Sequence, residues 1–359
     1  MSARLAAVSG LGAKGPACFL IDTGHARLLL DLGYGPQPGL WPDVSTVGAV
    51  DALLLSHGHR DHAGALDLLP KVGNPRVYAS DIVRRLLPRG VDASPLPLHG
   101  TAQVCDVRVT TGRNGHAPGG VWLHLAVGDG VLYMGDYSVE SAVYAFDPPP
   151  AAATVILDGS YGDYDTPLAQ VTPEFDALFD GGPVLLPVPP GGRAADIALH
   201  VGWRGGALPH VDPAVRQALQ QLADGAAACL RSEARADIAR IARDAPDIAT
   251  AEGVMLAGAA DAASGSAADL VARWEKDDAP AIVFTGYLPA GTPAERLTRS
   301  RRASYLRWNV HPRLSDNARL VRETRARTVL PAFGDARYRD AWRAAFAPAR
   351  VVVEDTVAP

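Results

Sequence analysis

One stretch, LLLSHGHRDHAG at residues 53–64, limits what this chain can be more than any other feature. An apolar strand ends at His57, and His57, His59, Asp61 and His62 follow one another within six positions. In extended backbone alternate side chains share a face, so His57 and His59 can grip one ion together. Asp61 and His62 follow where the chain turns into a helix, and they point toward a second site a few ångströms away. Imidazole with carboxylate suits Zn²⁺, and Mn²⁺ or Fe²⁺ accept the same donors. A chance cluster of surface histidines is the competing reading, and four ligand-type residues at one strand end make it the poorer one.

Two cations need more donors than one loop supplies. RNGHAPGG (113–120) sets His116 in a glycine-rich turn before an apolar strand, and YMGDYS (133–138) sets Asp136 at the end of another. A carboxylate there can bridge two ions, as hydrolytic two-metal sites require. Taken singly, His116 reads equally as a turn histidine and Asp136 as a strand-end acid satisfying loop amides. Beside the first cluster they complete a donor set.

The rest of the chain gives this site a setting. At 359 residues it exceeds what one core usually supports, so about two domains are expected. With 48% hydrophobic and 20% charged residues it is a globular sequence, neither a coiled coil nor a disordered one. No apolar run is long enough for a bilayer, and the N-terminus reads as no secretory signal. The three cysteines, Cys18, Cys105 and Cys229, fit neither a disulfide framework nor a CxxC metal site. A reduced, cytoplasmic protein with no membrane partner is expected.

Short strands are expected at 26–32, 51–57, 75–80, 103–110, 120–127, 131–136 and 152–160, with helices at 62–69 and 81–87. So many strands with so few helices suggest stacked sheets. From about 168 a longer α/β alternation begins, and 286–295 reads as a loop. The pattern places a second domain at 166–305, inserted into a first made of 1–165 and 306–359. Net charge is −5, but residues 296–350 carry fourteen Arg, no Lys and four acids, a local +10. That is a surface for an anionic partner, or a consequence of a chain with only three Lys among its thirty-four basic residues.

HGHRDH (57–62), then GHAPG (115–119) and GDYS (135–138), resemble the metal motifs of the metallo-β-lactamase fold. Further pieces resemble its β-CASP branch, which includes RNA- and DNA-cleaving nucleases: DGSYGD (158–163), PVLLPVPPGGRAADI (183–197) and FTGYLPAGTPAERL (284–297). The resemblance runs from about residue 18 to 335 and implies an α/β fold, an αββα sandwich with an inserted β-CASP cap. It implies that His57, His59 and His116 hold one cation, that Asp61 and His62 hold the other, and that Asp136 bridges them. It also makes Asp158 the acid that orients the site, where a loop Asp capping nearby amides is the plainer reading.

Two departures stand out. Matching the branch's "fSaHaD" to HPRLSDN (311–317) puts Leu314 where a histidine would contact substrate phosphate, with His311 three residues earlier as its replacement or as a loop histidine. The last motif, "vHGe", reads AFGDA (332–336), so Phe333 stands where the second cation's histidine belongs and that site is expected to be weak. The resemblance thus implies a phosphodiester hydrolase with two divalent ions, Zn²⁺ first. A water made acidic by the ions attacks in a groove between core and cap, and Asp61, Asp158 and His311 are the catalytic candidates. RNA or single-stranded DNA is the leading partner, held by Arg193, Tyr287, Arg313 and the arginines of 296–327. A small phosphodiester, phosphonate or ester is the second substrate class, a non-catalytic scaffold the third reading, and another copy of the chain a candidate partner.

Overall fold

The computed structural model describes residues 3–277, 279–353 and 356–357. The chain divides into two compact units: Met1–Val139, Ala145–Asp165 and His311–Pro359 form the first, and Glu140–Tyr144 with Thr166–Val310 the second.

The first unit opens with β1 (Arg4–Ser9), β2 (Cys18–Asp22), β3 (Arg27–Leu30), β4 (Ala52–Leu54), β5 (Arg76–Ser80) and β6 (Ala93–Leu96), with helices α1 (Arg60–Ala63) and α2 (Asp81–Arg84) between them. It continues with β7 (Gly100–Val104), β8 (Val107–Arg113), β9 (Val121–Leu125), β10 (Val131–Tyr133) and β11 (Thr154–Asp158). The second unit carries helices α3 (Leu168–Asp180), α4 (Arg193–Trp203), α5 (Pro213–Gly225), α6 (Arg235–Asp244), α7 (Gly265–Trp274) and α8 (Pro293–Arg299). Its strands β12 (Val184–Pro187), β13 (His210–Val211), β14 (Val254–Ala257), β15 (Ala281–Phe284) and β16 (Ser304–Tyr305) form one parallel sheet in the order β13-β14-β12-β15-β16. The chain then returns to the first unit with α9 (Leu314–Thr324), β17 (Thr328–Ala332), α10 (Arg339–Phe346), β18 (Arg350–Val351) and β19 (Thr356–Val357).

Two seven-stranded sheets result, β19-β1-β2-β3-β4-β5-β6 and β18-β17-β11-β10-β9-β8-β7. Their strands explain why the sequence reads as continuous apolar runs: both faces are covered. Leu28, Leu30, Ala52 and Leu54 meet Val121, Leu123, Val131, Tyr133 and Ile156 in the layer between the sheets. Leu29, Leu53 and Val77 face outward onto Leu66, Val72 and Val83. Trp122, Leu132, Val155 and Val329 face the other way onto Leu320, Val321, Trp342 and Phe346 of α9 and α10. This is the expected αββα layering. Each fully buried Leu or Val adds about 1.5–3 kcal/mol over leaving it exposed, so neither face of β3 or β4 tolerates a charge.

Some elements depart from the sequence reading. The run 103–110 is a hairpin, not one strand: Val104 pairs with Val107, and Cys105 takes a left-handed φ of 52° at the turn. The helix expected over 62–69 is α1 followed by a 3₁₀ segment, Leu66–Val72, because Pro70 cannot donate the amide that a longer α-helix needs. The expected loop 286–295 closes with α8, which begins at Pro293 with Thr292 accepting from the Glu295 amide. Strands β1, β2 and β6 were not expected: the Ala, Ser and Pro of β1 and β6 give little β signal, whereas β2, CFLID, is apolar and was passed over.

Candidate metal centre

Parallel pairing sends the C-terminal ends of β10, β11 and β17 to one edge of the second sheet, and those of β3 and β4 to one edge of the first. Asp31 follows β3 and Ser56 and His57 follow β4, while Asp136 follows β10, Asp158 ends β11 and Phe333 follows β17. Gly33 lets the chain pass the 57–62 loop, since a side chain there would lie 1.7 Å from the Asp61 carbonyl oxygen.

One set of donors faces inward from three stretches of chain. His116 Nε2 lies 3.1 Å from His59 Nδ1 and 3.6 Å from Asp136 Oδ2. His57 Nε2 is 4.0 Å from the same carboxylate oxygen. That Nε2 is buried and has no hydrogen-bond partner among the described residues, while its Nδ1 is 3.0 Å from Ser56 Oγ. Asn114 fixes the geometry: its Oδ1 accepts from the His116 amide at 3.1 Å, and its Nδ2 donates to the Asp136 carbonyl at 2.8 Å.

A tetrahedral ion with bonds of about 2.1 Å holds its donors about 3.4 Å apart, so these separations and the orphaned His57 nitrogen fit a divalent cation. Burial, then the neighbouring imidazoles of His62, His59 and His116, holds the His57 pKa well below its usual range. The ring is therefore neutral, with a lone pair to give. Burial opposes the charge on Asp136, but His62 and His311 outweigh it and hold this carboxyl well below the usual range.

A second set comprises Asp61, His62 and Asp136, whose donor atoms lie within 4.8 Å of one another. His62 Nε2 is 3.2 Å from Asp136 Oδ1, and its Nδ1 is 2.7 Å from Asp31 Oδ2. Burial opposes protonation of His62, but Asp136 and then Asp31 raise its pKa well above the usual value. The Phe333 ring stands 4.9 Å from the His62 ring, edge to face, and supplies no donor.

Asp31 escaped the sequence reading. It is fully buried, accepts from the Ser56 amide, Ser56 Oγ and Tyr133 Oη, each at 2.6 Å, and orients His62. The available signal was a lone acid ending an apolar strand, which strand-end acids give too often to be specific.

His311 Nδ1 is 2.7 Å from Asp158 Oδ2 and 3.7 Å from Asp136 Oδ2. Its ring lies 4.9 Å from His116 and 5.2 Å from Tyr161. Asp158 Oδ1 also accepts from the Ser160 amide at 2.9 Å, so the capping role and the partnership with His311 coexist. Leu314, by contrast, begins α9 and packs on the outer core with Leu320 and Trp342. The chain reaches the site three residues before the aligned position, because Leu314 is already helical.

The substrate-binding candidates stand as follows. Arg193 is buried within the second unit, its Nη1 3.4 Å from Thr285 Oγ1, packed where a side chain on Gly286 would fall. Tyr287 is 47% exposed. Arg313 forks onto Asp316 at 2.9 and 3.1 Å, in the first turn of α9. Of the arginines expected to hold phosphate, Arg327 pairs with Asp129 at the end of the sheet away from the donors, since Thr328 is level with Thr154 while Ala332 is level with Asp158. It cannot serve that purpose. Arg296 and Arg299 pair with Glu275 and Glu295.

Residues 11–174 match the model of the metallo-β-lactamase superfamily. Transcription termination factor FttA of Cenarchaeum symbiosum is 27% identical over 252 residues, 54% of this chain and 38% of that protein. Endoribonuclease YSH1 of Yarrowia lipolytica is 26% identical over 358 residues, 81% of this chain and 43% of that protein. A ribonuclease of Thermus thermophilus is 29% identical over 227 residues, 53% of this chain and 52% of that protein. The chain thus spans about half or less of the length of these relatives. A crystal structure of a protein of unknown function from Enterococcus faecalis superposes over the whole of both chains with a TM-score of 0.63 and 12% identity, a likeness of fold.

Proposed function

Because the chain belongs to the metallo-β-lactamase superfamily, in its β-CASP branch, we propose that it is a metal-dependent hydrolase that cleaves phosphodiester bonds in RNA. The observation that carries the reading is the buried, partnerless Nε2 of His57, turned toward Asp136 beside His59 and His116. His57, His59, His116 and Asp136 would hold one divalent cation, Zn²⁺ first, and Asp61, His62 and Asp136 would hold a second, more weakly. Such cations would make water acidic enough to ionise near neutral pH and would draw charge from a phosphoryl oxygen.

The remaining work falls to side chains. Asp158 fixes His311 through Nδ1, leaving Nε2 to give a proton to the oxygen that departs from phosphorus. Asp31, Ser56 and Tyr133 keep His62 in one orientation, so its Nε2 always meets Asp136. RNA is favoured over a small ester because two of the three relatives described above are named as RNA-cleaving enzymes. Leu314 does not enter the site, so Phe333 alone remains to argue for a less polar pocket.

The test is elemental analysis of the purified chain followed by a panel of RNA, single-stranded DNA and a small chromogenic phosphodiester. We expect stoichiometric metal, RNA cleavage, and a KM for RNA that rises steeply with salt as phosphate contacts release counterions. Turnover of the small diester without cleavage of RNA would end the RNA reading. A metal-free chain, inert with added Zn²⁺ or Mn²⁺, would end the enzyme reading.

A further inference from the structure

The segment Gly10–Gly15 runs alongside Phe333. The Phe333 amide donates to the Gly10 carbonyl at 2.7 Å, the Ala336 amide donates to the Gly12 carbonyl at 2.9 Å, and a side chain at Gly10 would meet the Phe333 ring at 3.1 Å. From this segment Lys14 Nζ donates to Ser160 Oγ at 2.9 Å. The Ser160 amide in turn donates to Asp158, the carboxylate that holds His311. Lys14 is one of only three lysines among thirty-four basic residues. Its ammonium carries a full positive charge and three donors.

We propose that Lys14 is a substrate-positioning residue whose ammonium replaces part of the charge that a fully ligated second cation would bring, holding a phosphate oxygen beside Asp158 and His311. The inference rests on the hydrolase reading above. Phe333 supplies no donor to the second set, and Lys14 sits on the segment that packs against it. Lys14 is linked through Ser160 to Asp158, whose carboxylate lies within ligand distance of Asp136. The charge of Lys14 opposes a divalent ion placed beside Asp136, since like charges in a poorly solvated site repel strongly. Lys14 cannot acidify water as a cation does; it acts by attraction and hydrogen bonding.

The experiment uses the full chain as wild type, Lys14→Gln and Lys14→Arg. Zn²⁺ uptake is followed by calorimetry and elemental analysis. Binding of inorganic phosphate is then measured at one Zn²⁺ per chain. Lys14→Gln is expected to take its second Zn²⁺ about tenfold more tightly and phosphate about tenfold more weakly, while Lys14→Arg keeps both near wild type. Unchanged affinities in Lys14→Gln overturn the inference. So do equal changes in both variants, which would mark a packing effect. These outcomes leave the hydrolase reading intact, whereas a wild type that takes up neither Zn²⁺ nor Mn²⁺ removes that reading and this one together.

Discussion

The donors contributed by His57, His59 and His116 and those contributed by Asp61 and His62 share Asp136, yet the fold supplies them unequally. Each imidazole of the first set is delivered from a strand end or a turn braced by backbone hydrogen bonds, and none is replaced. In the second set, Phe333 has joined the inter-sheet core with Phe19 and Tyr133. The comparison teaches that a residue at the end of a core strand can serve packing while the donors beside it face the site. Phe333 sits against His62 and gives it an aromatic neighbour with no lone pair.

The largest expected effect breaks the complete half. His59→Ala removes one of three imidazoles from a buried site and should abolish both bound metal and activity, with elemental analysis and RNA cleavage read on the same sample. Full activity without His59 would refute the account of the cage. Next comes His311→Ala, expected to lower kcat about 10²–10⁴-fold as a lost general acid does, with metal content unchanged. Because Asp136, Asp158 and His311 also lie within ligand distance of one another, a drop in metal content would reassign His311 as a donor.

Legibility in the sequence followed chemistry that is local in the chain. HGHRDH announces itself because four ligands sit within six residues, and His116 and Asp136 become readable once that cluster is seen. The layered sheets were legible too, since Leu28–Leu30 and Ala52–Leu54 are apolar on both faces. What stayed hidden depends on where distant strands end. Asp31 looks like any acid closing a strand until the parallel pairing of β3 and β4 sets it beside Ser56 and His62. His311 was read as a catalytic candidate, although the shift of three residues from the aligned position left a loop histidine as the alternative. The early start of α9 brings it to Asp158 all the same. Arginine-rich composition at 296–350 gave no position in the fold: Arg327, for one, answers Asp129 at the end of the sheet away from the donors.

Asp31→Asn sharpens the comparison from outside the donor set. Neutralising the partner of His62 Nδ1 acts directly on His62 and reaches the first set only through Ser56 and His57, so metal affinity should fall about 10–100-fold and the loss should fall chiefly on the second cation. Competition titration against a chromophoric chelator, resolved into two binding steps, measures this. An equal loss at both steps would show that Asp31 supports the whole cage through Ser56 and Tyr133 instead.

Phe333→His is expected to have the smallest effect on binding, and it tests the comparison most directly because it tries to make the two halves alike. The imidazole would stand against His62 where the phenyl ring now lies, adding a nitrogen donor to Asp61, His62 and Asp136. The second Zn²⁺ should then bind about tenfold more tightly, a gain of about 1.4 kcal/mol, kept modest by the charge of Lys14 nearby. The exchange also takes a buried aromatic out of contact with Phe19 and puts a polar ring in its place, so the metal-free chain should lose about 2–3 kcal/mol of stability in urea. Saturating Zn²⁺ should restore part of that loss, because an ion that binds only the folded chain stabilises it. If Zn²⁺ restores nothing, the position is packing alone and the weakness of the second half lies elsewhere than in Phe333.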